Sequence, residues 1–408
     1  MLRSMRLAVI ETAPFGGLLH YAVQLGDALA DRGHEVDLLV PRGNELAGRV
    51  GSAHMRPVLT PSMRSAKPPS DNRLAILMRR VGIGIRLMAA WARILFEVRR
   101  GHYDVILLNC DVGPTPVATA AYLLAASPGN PPLVHIRHNV RSFNRWGGDE
   151  LFDSPGGFTH AIYRRLSERL GLVFVHGERS KRELEQRWPN VPSAIIPHGD
   201  ERIFSDQAPP AAEEERILFF GDWRKVKGLP ALIEAFDELV RRRPTVRLTI
   251  AGKPARQDID PDMIKRWAAG HRDRVEVIDR YVPMEDVPGV FGRARVVTTP
   301  YFVGYQSGVV HLAMTMGRAV VATDVGDLGS AVVDGETGLV IPPEDPGVLA
   351  DALERVVSDP ELANRMGVRA RQRVLERSGW EKVAERVEEA LRFALVSEPS
   401  DATSDTRS

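Results

Sequence analysis

Residues 298–329 read TTPYFVGYQSGVVHLAMTMGRAVVATDVGDLG and carry a strand, a loop, a helix and a second strand in succession. The first strand pattern ends at Pro300, and the helical pattern runs from about Ser307 and Gly308 to Gly317. This order predicts a parallel sheet covered by helices. A serine at a helix start caps the helix and leaves backbone N–H groups free, so this loop is a candidate anion site.

The same order of elements recurs in both halves of the chain and predicts two doubly wound α/β units. The segment QAPPAAEEE, residues 207–215, separates the halves, and we place the boundary within residues 198–215. Apolar runs that predict strands lie at residues 6–11, 33–41, 103–110, 132–137, 172–177, 216–222, 246–252, 274–279, 295–300 and 319–324.

Composition limits the function classes. The chain has 408 residues, 44% hydrophobic and 26% charged, which is typical of a soluble globular protein of two domains. The net charge is 54 − 53 = +1, so we expect no nucleic-acid partner. The single cysteine, Cys110, allows no intramolecular disulfide and fits a cytoplasmic location. We also expect no signal peptide and no membrane-spanning segment, which argues against a periplasmic ligand-binding protein.

Two further glycine turns follow predicted strands. Gly16 and Gly17 precede a helix and could approach a phosphate, but a tight turn explains the pair equally well. Their spacing is not that of a dinucleotide fingerprint. The loop from Gly221 to Gly228 holds Arg224 and Lys227, which suit a diphosphate, although a solvated basic loop is the alternative.

At these residues the sequence resembles retaining glycosyltransferases of family four, which have the GT-B architecture. The similarity is densest in five segments, which occur in family order and at family spacing. They are FFGDWRKVKGLPALIEAF, LTIAGKP, RYVPMEDVPGVF, DGETGLVIPPEDP and residues 300–328. The resemblance implies an α/β fold of two Rossmann-like domains facing across a cleft. Residues 1–198 would bind the acceptor and residues 199–378 the nucleotide-sugar. Residues 379–396 would form a helix that crosses back, and the polar composition of residues 397–408 predicts a disordered tail.

The resemblance assigns the donor site residue by residue. Arg224 and Lys227 match the pair that grips the diphosphate, while Asp222 stands where many members have arginine. His138 and Asn139 match the strand end facing the donor sugar, so His138, Arg224 and Lys227 are the catalytic candidates. Tyr281 and Val282 match the backbone that receives the nucleobase, and Gly252 and Lys253 line the same pocket. The remaining donor-binding candidates are Gly16, Gly17, Gly221, Gly228, Gln306, Ser307, Gly308 and Val309.

One departure from the family concerns two glutamates spaced eight residues apart. Gly304 and Leu312 occupy those places here, and neither side chain can accept a hydrogen bond from a sugar. The segment Gln306–Val309 instead matches a subgroup with a Gln-Ser-Gly-Val loop, and His311 could replace one contact. The departure leaves two hypotheses open. One is an active transferase, and the other is a catalytically silent binding or partner subunit.

The resemblance also implies the mechanism. Retention points to a front-face route in which the departing phosphate accepts the proton of the acceptor hydroxyl. The protein then orients the substrates and stabilises charge on the diphosphate. We therefore expect no nucleophilic carboxylate, no cofactor besides the nucleotide-sugar and no required metal. The resemblance leaves the sugar, the base and the acceptor undefined.

Residues 73–100 contain seven arginines and a single acid, Glu97, among regularly spaced apolar residues. A basic amphipathic helix is typical of proteins that lie on anionic membranes. On that interpretation the protein is peripheral on the inner face of the membrane, the acceptor is a lipid-linked glycan or another cell-envelope glycoconjugate, and Trp91, Leu95 and Val98 add affinity. The alternative is a core helix whose arginines face solvent, with a soluble acceptor.

Overall fold

The protein is described from a computed structural model, which covers residues 4–59, 73–109, 129–140, 170–207, 212, 214–255 and 258–396. These residues form two parallel sheets with helices packed on both faces of each. Strands of such sheets are buried on both faces, which is why they are nearly continuous apolar runs in the sequence. The α/β fold predicted from the sequence is confirmed. The predicted tail, residues 397–408, and Cys110 lie outside the described residues.

The first sheet has seven parallel strands in the order β3-β2-β1-β4-β5-β6-β7. Strand order reverses between β1 and β4, and ligands of doubly wound sheets bind at the carboxyl edge beside such a reversal. The strands are β1 (Arg6–Ile10), β2 (Glu35–Pro41), β3 (His54–Leu59), β4 (Val105–Leu108), β5 (Leu133–Ile136), β6 (Leu172–Val175) and β7 (Ser193–Ile195).

The second sheet has six parallel strands in the order β10-β9-β8-β11-β12-β13. Its order reverses between β8 and β11, so the two sheets have the same kind of strand topology. The strands are β8 (Arg216–Phe220), β9 (Arg247–Ala251), β10 (Val275–Ile278), β11 (Val296–Thr299), β12 (Ala319–Thr323) and β13 (Gly338–Ile341).

The described helices connect the strands and close the chain. Three of them, starting at Pro261, Pro346 and Pro360, have an aspartate directly before the proline, and each aspartate accepts a hydrogen bond from the first turn. The helices are α1 (Gly17–Asp31), α2 (Arg73–Gly101), α3 (Glu178–Arg187), α4 (Leu229–Arg242), α5 (Pro261–Gly270), α6 (Val287–Gly292), α7 (Gly308–Thr315), α8 (Leu328–Ala331), α9 (Pro346–Val357), α10 (Pro360–Ser378) and α11 (Trp380–Val396).

Helix α11 packs on α1 of the first sheet. Trp380, Val383, Val387 and Leu391 are buried in the same cluster as the β1 side chains. Glu388 is also buried and accepts from Arg32 Nε at 2.6 Å, so a charged contact adds to the apolar one. The domain bounds at residues 198 and 378 stay predictions, and the two sheets lie on either side of the first bound.

Helix α2 differs from the sequence expectation. Trp91 and Val98 are buried against the first sheet, so they are core residues and cannot enter a membrane. The side chains exposed on this helix belong to another face, on which Met78, Val81 and Ile85 are each at least half exposed. Phe96 lies three turns further along the same face and is 52% exposed. A helix that is apolar on two faces does not show from its sequence which face is packed.

Candidate active site

The candidate site lies where the carboxyl ends of the two sheets face each other. On the second sheet, the loop after β8 brings Lys227 over Gly221. A β carbon built at Gly221 would lie 3.0 Å from Lys227 Nζ and 3.7 Å from Val309 Cγ2. Lys227 Nζ is also 5.5 Å from the centre of the Tyr301 ring, and the Tyr301 hydroxyl lies 3.3 Å from Ser307 Oγ. The fold therefore brings together Gly221, Lys227 and the start of α7, which are about 80 residues apart along the chain.

The start of α7 has the properties of an anion site. Ser307 is the N-cap in an extended conformation, and its side chain makes no capping hydrogen bond. The N–H groups of the first helical turn, at Gly308 and Val309, have no acceptor within the helix, and the helix dipole favours negative charge there. Lys227 Nζ lies beside this turn, so a charge and backbone donors converge on one point.

Arg224 and Lys227 are half-buried cations without a counter-charge. Within the described residues, neither side chain lies within ion-pair distance of a carboxylate. Other arginines of this domain do have such partners; Arg242, for example, pairs with Asp351 and Glu354. Two uncompensated cations at a strand end favour binding of a polyvalent anion such as a diphosphate.

Gly228 and Gly252 act in packing. Gly228 has φ +71°, and a β carbon there would lie 1.7 Å from the Pro300 carbonyl oxygen. A β carbon at Gly252 would lie 1.9 Å from the Gly221 carbonyl oxygen. Both contacts are closer than any side chain allows, so these glycines let the loops after β8, β9 and β11 meet. Lys253 is exposed beside them, and Val282 is buried.

On the first sheet, a carboxylate that the sequence did not reveal occupies the start of α1. Gly16 N and His20 Nε2 both contact Glu45 Oε1, the second at 2.8 Å. The Tyr281 hydroxyl donates to Glu45 Oε2 at 2.7 Å, which joins the two domains. Burial opposes ionisation of Glu45, but these hydrogen bonds prevail and hold its pKa below the usual value. Gly17 is exposed beside Gly16.

A cluster of histidines lies between the two sheets. His138, half-buried next to Asn139, contacts His176, and the Tyr21 ring packs edge-on against both. His198 stacks on His311 with ring centres 4.6 Å apart. Burial lowers the pKa of His311 to about 4, and it lowers the pKa of the other three histidines well below 6.5. His311 Nδ1 lies 3.2 Å from the Ser307 carbonyl, so this ring supports the start of α7.

Two acidic residues after β7 also escaped the sequence analysis. Glu201 is buried, and its Oε1 lies 3.6 Å from the position of a β carbon at Gly308. Burial raises the pKa of Glu201 to about 7 and that of Asp200 to about 6. The only sequence signal was their place directly after His198 at a strand end. A carboxyl group therefore does lie near the start of α7, although none was expected there.

Residues 15–199 match the model described as Glycosyltransferase Family 4, and residues 214–359 match Glycosyl transferases group 1. Together they cover both sheets except β1, which precedes the first matched range. The chain belongs to the family-four glycosyltransferases.

Relatives of this family-four glycosyltransferase align over most of its length. It is 28% identical to the alpha-D-kanosaminyltransferase of Streptomyces kanamyceticus, over 80% of this chain and 91% of that protein. It is 26% identical to the D-inositol 3-phosphate glycosyltransferase of Corynebacterium efficiens, over 89% of both. The structure of Anabaena Alr3699/HepE in complex with UDP and glucose superposes with a TM-score of 0.67 at 17% identity, covering 95% of this chain and 100% of that one. This likeness confirms the GT-B fold.

The two positions that hold glutamate in many members have different roles in this family-four glycosyltransferase. Leu312 is buried in the core of the second domain, so its place serves packing. At Gly304 a β carbon would meet the Tyr301 ring at 3.4 Å. Gln306, two residues on, has a buried side-chain oxygen that meets no hydrogen-bond partner among the described residues, while its Nε2 contacts the Asp327 carbonyl at 3.5 Å. Membership of the Gln-Ser-Gly-Val subgroup stays a prediction.

Among the residues that the structure describes, no group of three or more His, Cys, Asp and Glu side chains is placed to hold a metal ion. In the same part of the chain, no helix combines the length and the apolar character needed to cross a bilayer.

Proposed function

We propose that this glycosyltransferase takes a sugar from a nucleoside diphosphate donor bound between the two sheets. The observation that carries the proposal is the convergence of Lys227 and the first-turn N–H groups of α7 at the reversal of strand order in the second sheet, with Arg224 in the same loop as Lys227. Cations and oriented amides at this place are suited to a diphosphate. The complex of Anabaena Alr3699/HepE with UDP and glucose supports this choice of ligand class.

The transfer proceeds with retention in this proposal. The new bond forms on the face from which the diphosphate leaves, and a phosphate oxygen accepts the proton of the acceptor hydroxyl. Negative charge grows on the diphosphate as the sugar–oxygen bond breaks, so Lys227, Arg224 and the α7 amides stabilise the transition state more than the ground state. His138 stands on the opposite wall of the cleft, at the end of β5, where it supports the sugar.

No metal is required in this proposal, because the cations and amides named above neutralise the diphosphate. The acceptor hydroxyl would approach from the first domain, beside Gly16 and Gly17. Both glycines have open space where a β carbon would be, so a substrate can lie against this backbone.

We also propose that the protein works at the cytoplasmic face of a membrane on a lipid-linked or envelope acceptor. The support is the exposed apolar face of α2, formed by Met78, Val81, Ile85 and Phe96, together with the exposed arginines Arg93, Arg99 and Arg100. An apolar stripe beside cations is the arrangement of helices that lie in an anionic interface.

The test of the donor site is ligand-induced stabilisation and turnover. Nucleotide-sugars with different bases and sugars are screened by thermal shift, since a ligand at ~100 times its Kd adds ~2.7 kcal/mol to stability. The nucleotide-sugar that binds is then used to measure transfer. Arg224→Ala and Lys227→Ala should each weaken donor binding by ~1.5–3 kcal/mol, about 10- to 150-fold in Kd, and reduce kcat further.

The matched control is Lys225→Ala, which removes an exposed cation from the same loop. It should leave the donor Kd unchanged. Wild-type affinity in both the Arg224 and Lys227 variants would refute the donor site. Donor binding without transfer in the wild type would favour the catalytically silent alternative.

A further inference from the structure

Five consecutive strands of the first sheet end in one row of hydrogen-bonding groups. Glu11 follows β1, Asn109 follows β4, His138 is two residues beyond β5, His176 follows β6 and Ile196 follows β7. These strands are neighbours in the order β1-β4-β5-β6-β7. The row therefore runs along the carboxyl edge that faces the donor site.

At the end of the row next to β1, hydrogen bonds fix the orientation of the Asn109 side-chain amide. Asn109 Nδ2 donates to Glu11 Oε2 at 2.7 Å and to the Leu18 carbonyl at 2.9 Å. Both partners are acceptors, so the NH2 group must point to them, and Asn109 Oδ1 must point to His138. His138 Nε2 lies 3.0 Å from this oxygen, and the contact is a hydrogen bond only if Nε2 carries a proton.

At the end of the row next to β7, the second ring, His176, must also carry a proton on the nitrogen that faces a carbonyl oxygen. His176 Nδ1 lies 3.1 Å from the Ile196 carbonyl, so it must also carry a proton. Between the rings, His138 Nδ1 and His176 Nε2 are 3.0 Å apart and share one proton. The three contacts need three protons, whereas two neutral imidazoles supply two. The row is complete only when the pair holds one extra proton.

The surroundings make that extra proton costly in the free protein. His176 is buried and His138 is half-buried between the domains, and desolvation lowers the pKa of each. The groups that face the pair are Tyr21 from α1, His135 from β5, His198 from the segment after β7, His311 from α7 and, through Asn109, Glu11. In the free protein the pair is therefore neutral. His138 Nδ1 and His176 Nε2 then face each other with a lone pair each, and this contact is not a hydrogen bond.

The proposed donor site can change this balance. His198 lies between the pair and the start of α7. Its ring centre is 6.0 Å from that of His138, and its Cε1 is 3.6 Å from the position of a β carbon at Gly308. A diphosphate at the start of α7 would place negative charges one ring away from His138, in a site of low dielectric. Such charges favour the protonated pair.

We propose that the His138–His176 pair binds one proton from solvent when the anionic donor binds, and that His176 is the positioning residue that makes this possible. The inference rests on the proposed donor site. The step is protonation only: imidazole plus H⁺ gives one imidazolium shared by the two rings, and no bond to the donor forms. The completed row then holds the His138 ring fixed, with both nitrogens engaged inside the protein.

The test counts protons. UDP, GDP and ADP are titrated in turn into the full-length protein by calorimetry near pH 7, in buffers of different ionisation enthalpy. In wild type, binding should take up close to one proton more than in His176→Asn. In that variant the introduced side-chain amide donates to His138 Nδ1. A neutral His138 ring with its proton on Nε2 can then donate to Asn109, so no extra proton is needed. Subtracting the proton uptake of the variant from that of the wild type removes the contribution from ionisation of the nucleotide itself. Since binding and protonation are linked, the wild-type Kd should weaken up to tenfold more per pH unit than that of the variant.

The matched control is His271→Asn, which changes a half-buried histidine paired with Asp237 in the other domain. It should retain the wild-type proton count. Equal proton uptake in wild type and His176→Asn, with normal nucleotide affinity, would overturn the inference and leave the donor site standing.

A second measurement decides the matter if no nucleotide binds or if the variant does not fold. Long-range ¹H–¹⁵N spectra of wild type with ¹⁵N-labelled histidine are recorded from pH 5 to 8, with and without inorganic pyrophosphate. The two rings should gain one proton together, with a common midpoint. Rings that titrate separately would refute the shared proton even where the donor site has failed. Rings that stay neutral with fixed tautomers while pyrophosphate is bound would refute the proton uptake.

Discussion

At the scale of single residues, the buried carboxyl group of Glu201 lies close to the start of α7 and yet has few partners. Gln24 Nε2 lies 3.4 Å from its Oε2, and no arginine or lysine pairs with it among the described residues. A buried carboxylate without a cation is costly, which explains why its pKa rises to about 7. Near neutral pH this group therefore holds a proton in the folded protein that it loses in the unfolded chain.

This proton predicts a pH-dependent stability. The folded-state pKa lies above the unfolded value of about 4.5, so the folded state binds more protons between these two values, and stability falls as pH rises from about 4.5 to 7. A difference of about two and a half pKa units corresponds to roughly 3 kcal/mol at pH 8. Glu201→Gln should therefore be more stable than wild type at pH 8 by up to that amount and nearly equal at pH 4.5.

Urea unfolding at the two pH values measures this effect. Glu234→Gln, an exposed carboxyl on α4, is the control and should show no pH-dependent gain. Equal stability of Glu201→Gln and wild type at pH 8 would contradict the assignment.

At the scale of elements, helix α2 has two apolar faces with separate roles. Trp91, Ile94 and Val98 pack into the first domain, while Met78, Ile85 and Phe96 are exposed. Glu97, the acid of this helix, is buried and pairs with Arg56 and Arg93, so the exposed surface of α2 carries a net positive charge. The two faces allow folding and membrane binding to be tested separately.

We predict that the protein sediments with anionic vesicles at low salt and less at high salt, because the Debye length falls from ~10 Å at 0.1 M to ~3 Å at 1 M. Ile85→Ser combined with Phe96→Ser should weaken the salt-resistant part of the binding without unfolding the protein. Val368→Ser, an exposed apolar residue of α10, is the control and should bind vesicles as wild type does. Vesicles with and without anionic lipid distinguish the charge from the apolar contribution.

Trp91→Ala separates the two interpretations of the helix. Its loss should destabilise the fold by ~3–5 kcal/mol, as for other buried aromatic residues, and folded protein should still bind vesicles. If the wild-type protein stays in the supernatant with anionic vesicles at low salt, the helix is a core element only, and a soluble acceptor becomes the better proposal.

At the scale of the whole molecule, the two domains are joined by charged contacts at the ends of helices. Asp327, from the second domain, accepts from Arg179 N and Ser180 N at 3.0 Å each, and so caps α3 of the first domain. Arg179 also pairs with Asp324 at 2.8 and 3.2 Å. On the other side of the cleft, Glu45 accepts from Tyr281. Carboxylates at helix N-termini are stabilising, so these contacts hold the two domains together across the cleft.

We predict that Asp327→Ala weakens closure by ~1–2 kcal/mol, the usual cost of losing a helix cap, without unfolding either domain. The radius of gyration from small-angle X-ray scattering should exceed that of wild type, and kcat should fall because the two walls of the site separate. Asp351→Ala removes a carboxylate that pairs with Arg242 inside the second domain, so it should change neither quantity. An unchanged radius of gyration in Asp327→Ala would show that other contacts hold the domains.

The sequence by itself determined the two doubly wound units and the location of the loop that we propose binds the donor. Buried parallel strands and amphipathic helices have periods that show in the chain, and the glycine-rich turns that follow the strands lie within short stretches such as 221–228. The edge strands β3 and β7 were missed because partly exposed runs lack a clear period, and β13 was missed because it is only four residues long. Which face of α2 is packed was missed for a related reason, since both faces are apolar.

Only the tertiary structure decided which distant side chains meet. Glu45 reaches Tyr281 across 236 positions, and Gln24 reaches Glu201 across 177. The row from Glu11 to Ile196 exists because five strands end side by side, an order that no local pattern encodes. The pKa values of Glu201 and of the histidine pair depend on burial between the two domains. The chemistry of the site therefore depends on how the two sheets are assembled, whereas the strands and helices themselves can be predicted from the apolar periodicity of the sequence.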